Sequence, residues 1–280
     1  VSTEKNIPIN TYRVVELPPS APQWSAPVPK PTLMGKLRKA TIPFYHSENS
    51  YDDFKRERLL PYRLSKEGPG LAVGDVNGDG FVDVILTGPK FQSTQCFLQY
   101  PEERMIAWPC GLDYADAEDV DAALIDIDGD HDLDLVIVTG GNEFDEGDPE
   151  LEDRLYRNDG KGVFTQIENG LPGGFESGSC VAPADIDGDG DVDLFIGGRV
   201  VPGKFPRIAR SVLYRNIKGV FYDVTDSLAP GLSHVGMTTR ATWSDIDNDK
   251  DSDLVVVGDW MTPRVWRNDN GRFTDVSSEM

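Results

Sequence analysis

Short apolar runs, rich in β-branched side chains, recur in pairs along the chain, and each pair brackets an acidic loop. Leu71-Ala-Val-Gly precedes the first loop and Val84-Ile-Leu-Thr-Gly follows it. The later pairs are Ala122-Ala-Leu-Ile with Leu135-Val-Ile-Val-Thr, Val181-Ala-Pro-Ala with Leu194-Phe-Ile-Gly, and Ala241-Thr-Trp-Ser with Leu254-Val-Val-Val-Gly. Runs this short, bounded by Gly and Asp, read as strands rather than helices. A second hairpin follows in three copies, beginning Leu155-Tyr-Arg-Asn-Asp-Gly, Leu213-Tyr-Arg-Asn-Ile-Lys-Gly and Val265-Trp-Arg-Asn-Asp-Asn-Gly. Gly and Asn at its tip supply the positive φ that tight hairpin turns require. In the first copy Cys96-Phe-Leu-Gln-Tyr takes the same place without the turn motif. Each unit therefore predicts a four-stranded antiparallel sheet.

The units begin near 70, 120, 179 and 239, a spacing of roughly 50–60 residues that marks a supersecondary unit repeated around a propeller or along a solenoid. Four strands per unit and no helical spacing predict an all-β protein, a β-propeller or an arc of one. The repeats are expected over about 70–115, 120–172, 179–232 and 239–280. A Pro-rich extended segment, 1–43, and a connector, 44–69, precede them.

The loops between paired runs carry the chemistry. Each places oxygen-bearing side chains at positions 1, 3, 5 and 9, and a carbonyl at position 7 is expected to join them. The first offers Asp75, Asn77, Asp79 and Asp83, with the carbonyl of Phe81. The second offers Asp126, Asp128, Asp130 and Asp134, with that of Asp132. The third offers Asp185, Asp187, Asp189 and Asp193, with that of Asp191. The fourth offers Asp245, Asp247, Asp249 and Asp253, with that of Asp251. Carboxylates crowded into one turn repel one another, and a hard cation relieves the repulsion. Ca²⁺ takes six to eight oxygens, and D-x-[DN]-x-[DN] supplies three from a single turn. Up to four structural calcium ions are expected. Val or Ile at position 2 and Val or Leu at position 10 should clamp each loop to its sheet. No Glu stands at position 12 and a strand follows position 9, so the loop sits in a hairpin and not between helices. Position 6 calls for a left-handed backbone, which Gly80 and Gly190 adopt freely; His131 and Lys250 are strained there, Lys250 more so.

Charge narrows the partners. The formal net charge is −21, and four divalent ions would leave it at about −13. An acidic surface argues against nucleic acid and anionic membranes. No apolar run approaches the ~20 residues that span a bilayer. The chain starts at Val1 without a signal pattern, so it is expected to be processed or excised from something longer. Of three cysteines, Cys96 and Cys110 flank a hairpin, which leaves either a disulfide or two buried thiols; Cys180 reads as a core thiol.

No catalytic constellation appears. The histidines are His46, His131 and His234, and only His131 lies in a motif, the second loop. There is no G-x-S-x-G, H-E-x-x-H, P-loop or dinucleotide fingerprint, and Gly178-Ser-Cys180 reads as strand core. The chain is expected not to be an enzyme. Three segments could carry recognition: the aromatic and charged stretch His46–Tyr62, with a short helix near Tyr51–Leu60, read by default as an amphipathic connector packing on a sheet; the acidic insertion Asn142–Asp153, read as solvated by default; and Arg199, Arg207, Arg210 and Arg240, which could gather into an anion site.

The acidic loops, set between apolar strands and followed by L-Y-R-N…F-T hairpins, resemble FG-GAP or VCBS-type repeats. The run from Glu48-Asn-Ser-Tyr-Asp-Asp-Phe to Gly68-Pro-Gly-Leu-Ala-Val-Gly-Asp is similar to the bacterial branch allied to cartilage acidic protein and the ASPIC/UnbV type. The resemblance covers 44–280. It implies a calcium-stabilised propeller of about seven blades, used outside the cell for adhesion, scaffolding or glycan contact. With four repeats in view, these would form part of a larger propeller or an arc completed by other chains. The function expected is a calcium-binding extracellular, cell-surface or periplasmic binding, adhesion or scaffold module. Its partner would be a protein or glycan ligand, or other subunits of a surface complex. The alternatives are an accessory or catalytic part of a polysaccharide-binding or polysaccharide-degrading system, and a structural subunit of a larger surface assembly.

Overall fold

The computed structural model describes residues 42–173 and 175–279, so the Pro-rich segment lies outside it except for its last two residues. Sixteen strands form four separate antiparallel sheets of four strands each. Blade 1 is β1 (Leu71–Gly74), β2 (Asp83–Leu86), β3 (Gln95–Tyr100) and β4 (Arg104–Trp108). Blade 2 is β5 (Asp119–Ile125), β6 (Asp134–Thr139), β7 (Arg154–Asn158) and β8 (Phe164–Gln166). Blade 3 is β9 (Ser177–Ala184), β10 (Asp193–Val200), β11 (Val212–Ile217) and β12 (Val220–Asp223). Blade 4 is β13 (Met237–Ser244), β14 (Asp253–Asp259), β15 (Arg264–Asn268) and β16 (Phe273–Asp275). Strands pair in chain order, β1 lies beside β5, β5 beside β9 and β9 beside β13, and the four sheets form a propeller arc.

The core lies between blades, and the strand period of two decides which residue faces which neighbour. Along the second strand of each blade, loop positions 10 and 12 face the preceding blade and positions 11 and 13 face the following one. Val136 and Val138 of blade 2 thus meet Leu194 and Ile196 of blade 3. Phe195 of blade 3 meets Leu254 and Val256 of blade 4. Ile85 of blade 1 meets Leu135 and Ile137 of blade 2. Strands buried on both faces explain the continuous apolar runs.

The two ends of the arc differ. At the rear face of blade 1 the connector brings Phe44 edge-on to Phe97, ring centroids 6.2 Å apart. At the forward face of blade 4, Val257 is 38% exposed, whereas its blade 2 equivalent Val138 is fully buried. The disulfide Cys96–Cys110 ties β3 to the segment leaving blade 1, and Cys180 is a buried free thiol.

The connector runs over the β6–β7 and β10–β11 loops. Arg56 donates to the carbonyls of Asn142 and Phe144, and Glu57 accepts from Asn142 and from the Phe205 N–H. Leu60 and Leu64 pack on Val200. The helix expected over Tyr51–Leu60 is cut to one turn, α1 (Asp53–Arg56). Asp53 is buried on the Ser65 N–H and hydroxyl, and Glu57 reaches away to other loops, so long-range contacts override local propensity. The acidic insertion is solvated only in part: Asp145, Glu146, Gly147 and Pro149 are exposed, whereas Asn142, Phe144 and Leu151 are buried, with the carbonyls of Asn142 and Phe144 accepting from Arg56.

Candidate metal centres and the latch between blades

In all four blades the acidic loop joins the first strand to the second. Positions 2 and 10 are apolar and buried, except that Ile246 is only partly covered. With the loop pinned at both ends, its carboxylates turn inward. In loops two, three and four the carboxylates of positions 1, 3 and 9 converge. One oxygen each from Asp126, Asp128 and Asp134 lies within 4.8 Å of the other two, as in Asp185, Asp187 and Asp193, and in Asp245, Asp247 and Asp253. Loop one carries Asn77 at position 3 and so has only two carboxylates at these places.

Each residue has a distinct local duty. The position 1 carboxylate caps the turn: Asp185 accepts from the N–H groups of Gly188 at 2.8 Å and Gly190 at 3.0 Å. The position 5 carboxylate turns to the position 7 N–H, as Asp189 does to Asp191 at 2.9 Å, and stands outside the converging three. The position 9 carboxylate is buried and spans two elements. Asp193 accepts from the Ile186 N–H at 2.9 Å and from the Asn216 N–H on β11 at 2.7 Å. Asp83, Asp134 and Asp253 make the same pair of bonds, to Val76 and Gln99, to Ile127 and Asn158, and to Ile246 and Asn268. Position 6 is left-handed in every loop, with φ of 73° at His131 and 86° at Lys250.

The donor set fits a hard cation. Asp128 Oδ1 is buried with no hydrogen-bond partner, as a carboxylate oxygen aimed at an ion would be. Burial raises the carboxyls of Asp83 and Asp134 above the usual carboxylate range, and pushes Asp193 up to about 6, against the pull of its two N–H donors. Concentrated, desolvated negative charge is the condition a divalent ion relieves.

The L-Y-R-N hairpin does more than turn the chain. Its Asn amide donates across the blade boundary to the position 2 carbonyl of the preceding loop. Asn158 reaches Val76, Asn216 reaches Ile127 and Asn268 reaches Ile186, all at 2.8 Å. The same Asn accepts from the hairpin-tip N–H of Gly162, Gly219 or Gly271. These glycines have positive φ and sit against the preceding loop; a Cβ on Gly219 would lie 3.2 Å from Asp128 Cβ. The Arg of the motif lies over its own loop, Arg157 on Asp128 at 2.8 Å, Arg215 on Asp187 and Asp189, and Arg267 on Asp247 at 4.0 Å. In blade 1, Leu98 and Gln99 replace Arg and Asn, and position 3 is the neutral Asn77. The pairing of Asp with Arg and of Asn with Leu was present in the repeats as a signal, which turn chemistry alone passes over.

The four arginines do not form an anion site. Arg199 is buried against Glu67 and Asp259, Arg207 pairs with Glu146, Arg210 with Asp223, and Arg240 with Asp121. With so many carboxylates available, each guanidinium finds a partner before any ligand arrives. His46 is bonded to Glu48 and does not stand alone. Ser179 and Cys180 are strand residues of β9, with no base beside them among their hydrogen-bond partners.

A family model described as FG-GAP-like repeat matches residues 119–196, the whole of blade 2 and blade 3 into β10. Comparison with curated proteins gives no match. Among solved structures, the crystal structure of the V. cholerae biofilm matrix protein Bap1 is similar over 74% of this chain, with 17% identity and a TM-score of 0.35. The matched part is 30% of that protein's length. No helix among the described residues is long and apolar enough to cross a membrane.

Proposed function

We propose that this chain is a calcium-stabilised, non-enzymatic binding or scaffold module that works outside the cytoplasm. The observation that carries the reading is the threefold convergence of position 1, 3 and 9 carboxylates, each wired through position 9 to the third strand of its blade. Calcium there would hold loop and hairpin as one unit, so blade folding and metal binding are coupled. Asp126, Asp128 and Asp134, Asp185, Asp187 and Asp193, and Asp245, Asp247 and Asp253 would hold three ions; Asp75, Asn77, Asp79 and Asp83 would hold a fourth, more weakly charged. Each ion serves its own turn, which leaves the inter-strand loops and the connector for recognition. A disulfide between Cys96 and Cys110 and loops suited to plentiful calcium support an oxidising, calcium-rich setting. Protein stripped of metal should melt lower than the calcium-loaded form by on the order of 10–20 °C. An unchanged melting temperature after stripping would overturn the reading.

A further inference from the structure

One exposed apolar side chain directly follows a carboxylate held by a buried arginine. Trp260, at the tip of the β14–β15 loop, is 77% exposed and holds φ at +58°. Exposing the largest apolar side chain at a backbone angle that disfavours any side chain is doubly costly. The indole meets Phe205 edge-on, with centroids 6.2 Å apart.

The residue before Trp260, Asp259, belongs to a set of polar groups fixed in advance. Arg199, 3% exposed, is the hub. Its guanidinium donates to Asp259 Oδ2 at 2.7 Å, to Glu67 Oε1 at 2.9 Å and Oε2 at 3.1 Å, and to the Tyr62 hydroxyl. Tyr62 is itself exposed, with the guanidinium 5.7 Å from its ring centre. Three elements distant in sequence, the connector and the second strands of blades 3 and 4, are thus locked around one buried cation. Two carboxylates and a phenol are thus held in place around Arg199, and one of the carboxylates, Asp259, directly precedes Trp260 in the chain. Glu67 also borders a polar cleft of about 270 Å³, where Ser179, Thr239 and Arg240 meet at the inner ends of the blades.

This combination suits a sugar. A pyranose has one face of C–H groups, which packs on an aromatic ring, and a rim of hydroxyls, which donate to carboxylates and accept from an indole N–H. Groups already held in position bind hydroxyls without an ordering cost. The charge balance selects among sugars. Arg199 and Arg240 are both paired with carboxylates, and the chain carries −21 overall, a balance that disfavours a sugar acid or sulfate. A flat protein partner would need roughly 800 Å² per side with a packed apolar centre, whereas a single exposed indole offers a small stacking platform.

We propose that Trp260, with Tyr62, Glu67 and Asp259 set around Arg199, forms a binding site for a neutral carbohydrate chain. The site rests on the reading of this protein as a binding module, and gives that module a ligand class.

The test uses the full calcium-loaded chain against immobilised neutral and acidic oligosaccharides, followed by titration with cellohexaose, mannohexaose and xylohexaose. At least one neutral hexasaccharide should bind and shift the indole fluorescence. Trp260→Ala should weaken that binding by on the order of tenfold or more, Trp260→Phe should keep most of it, and Asp259→Asn should weaken it by about three- to tenfold. The Trp260 side chain is exposed, so the melting temperature of Trp260→Ala should stay near that of the parent. Absence of binding to every neutral glycan at millimolar concentration, binding to acidic glycans alone, or equal binding by Trp260→Ala would each overturn the site. If calcium-dependent melting persisted in those cases, the calcium-stabilised module would stand without this ligand; loss of calcium dependence would instead overturn that broader reading.

Discussion

Loops one to three and loop four share a ligand pattern but not a setting. The position 2 carbonyls of Val76, Ile127 and Ile186 each accept an Asn amide from the following blade. The equivalent carbonyl of Ile246 has no such partner among the described residues, and a cleft of about 220 Å³ lined by Ile246, Asp247, Asp253, Val265 and Arg267 opens in its place. The valines that would face a next blade are partly exposed there, whereas Val136, Val138 and Phe195 are fully buried at the matching positions. A repeat therefore gets its rigidity from its neighbour as well as from its own residues, as expected when stability is shared between adjoining units. Loop four ranks weakest on two separate grounds, its missing latch and the left-handed Lys250.

The largest effect should separate the position 9 carboxylates. Asp193→Ala leaves the Ile186 and Asn216 N–H groups unpaired in a buried site and should cost about 3–5 kcal/mol in chemical denaturation. Asp253→Ala, beside an open cleft that admits water, should cost about 1–2 kcal/mol. Equal losses would show that the latch adds nothing to loop rigidity. Next, Asn216→Ala strips loop two of its cross-blade bond and should cost about 1–3 kcal/mol. It should also speed amide exchange at Ile127 and its neighbours in the preceding blade, a readout that a purely local turn defect would not move. The third effect has the opposite sign. Lys250→Gly removes a side chain from a left-handed position and should raise stability by about 1 kcal/mol. Calcium titration of that variant should show the weakest site tightening toward the other three.

The smallest effect concerns pH. Without metal, Asp193 holds its proton up to about 6, chiefly because burial disfavours its charge. Ion binding requires the ionised form, so calcium affinity at loop three should be complete above that value and fall as pH drops through it. Isothermal titration at pH 7.5 and pH 5 reads this directly, together with the protons released on binding. An affinity independent of pH across that range would mean that Asp193 is not a ligand.

Much of this arrangement was legible in the chain. The alternation of apolar runs and acidic turns identified the strands flanking each loop, because side chains buried on both faces of a sheet leave a continuous hydrophobic signature. The spacing of Asp185, Asp187 and Asp193 marked one turn as the source of several oxygens. The pairing of Cys96 with Cys110 stayed open, since a spacing of this kind suits two thiols equally well. The role of Asn158, Asn216 and Asn268 was hidden in plain view. Asn before a tight turn already has a local explanation in the positive φ of the tip, and the long-range bond shares that residue.

Local rules failed where distant segments meet. Tyr51–Leu60 has helical character, yet Asp53 and Glu57 are recruited by Ser65, Asn142 and Phe205, so only one turn survives. Arg199 and Arg240 stood as loose cations in the sequence, and the fold hands each a carboxylate from another blade or from the connector.

By itself the sequence determined what each repeat is: a four-stranded sheet with an oxygen-lined turn between its first two strands. Both follow from spacing within a single unit, where side-chain direction and turn chemistry are local matters. Only the tertiary structure decided how the units grip one another, which end of the arc is covered, and which groups gather around Arg199. Those outcomes depend on contacts between residues far apart in the chain, and their energies exist only once the blades are side by side.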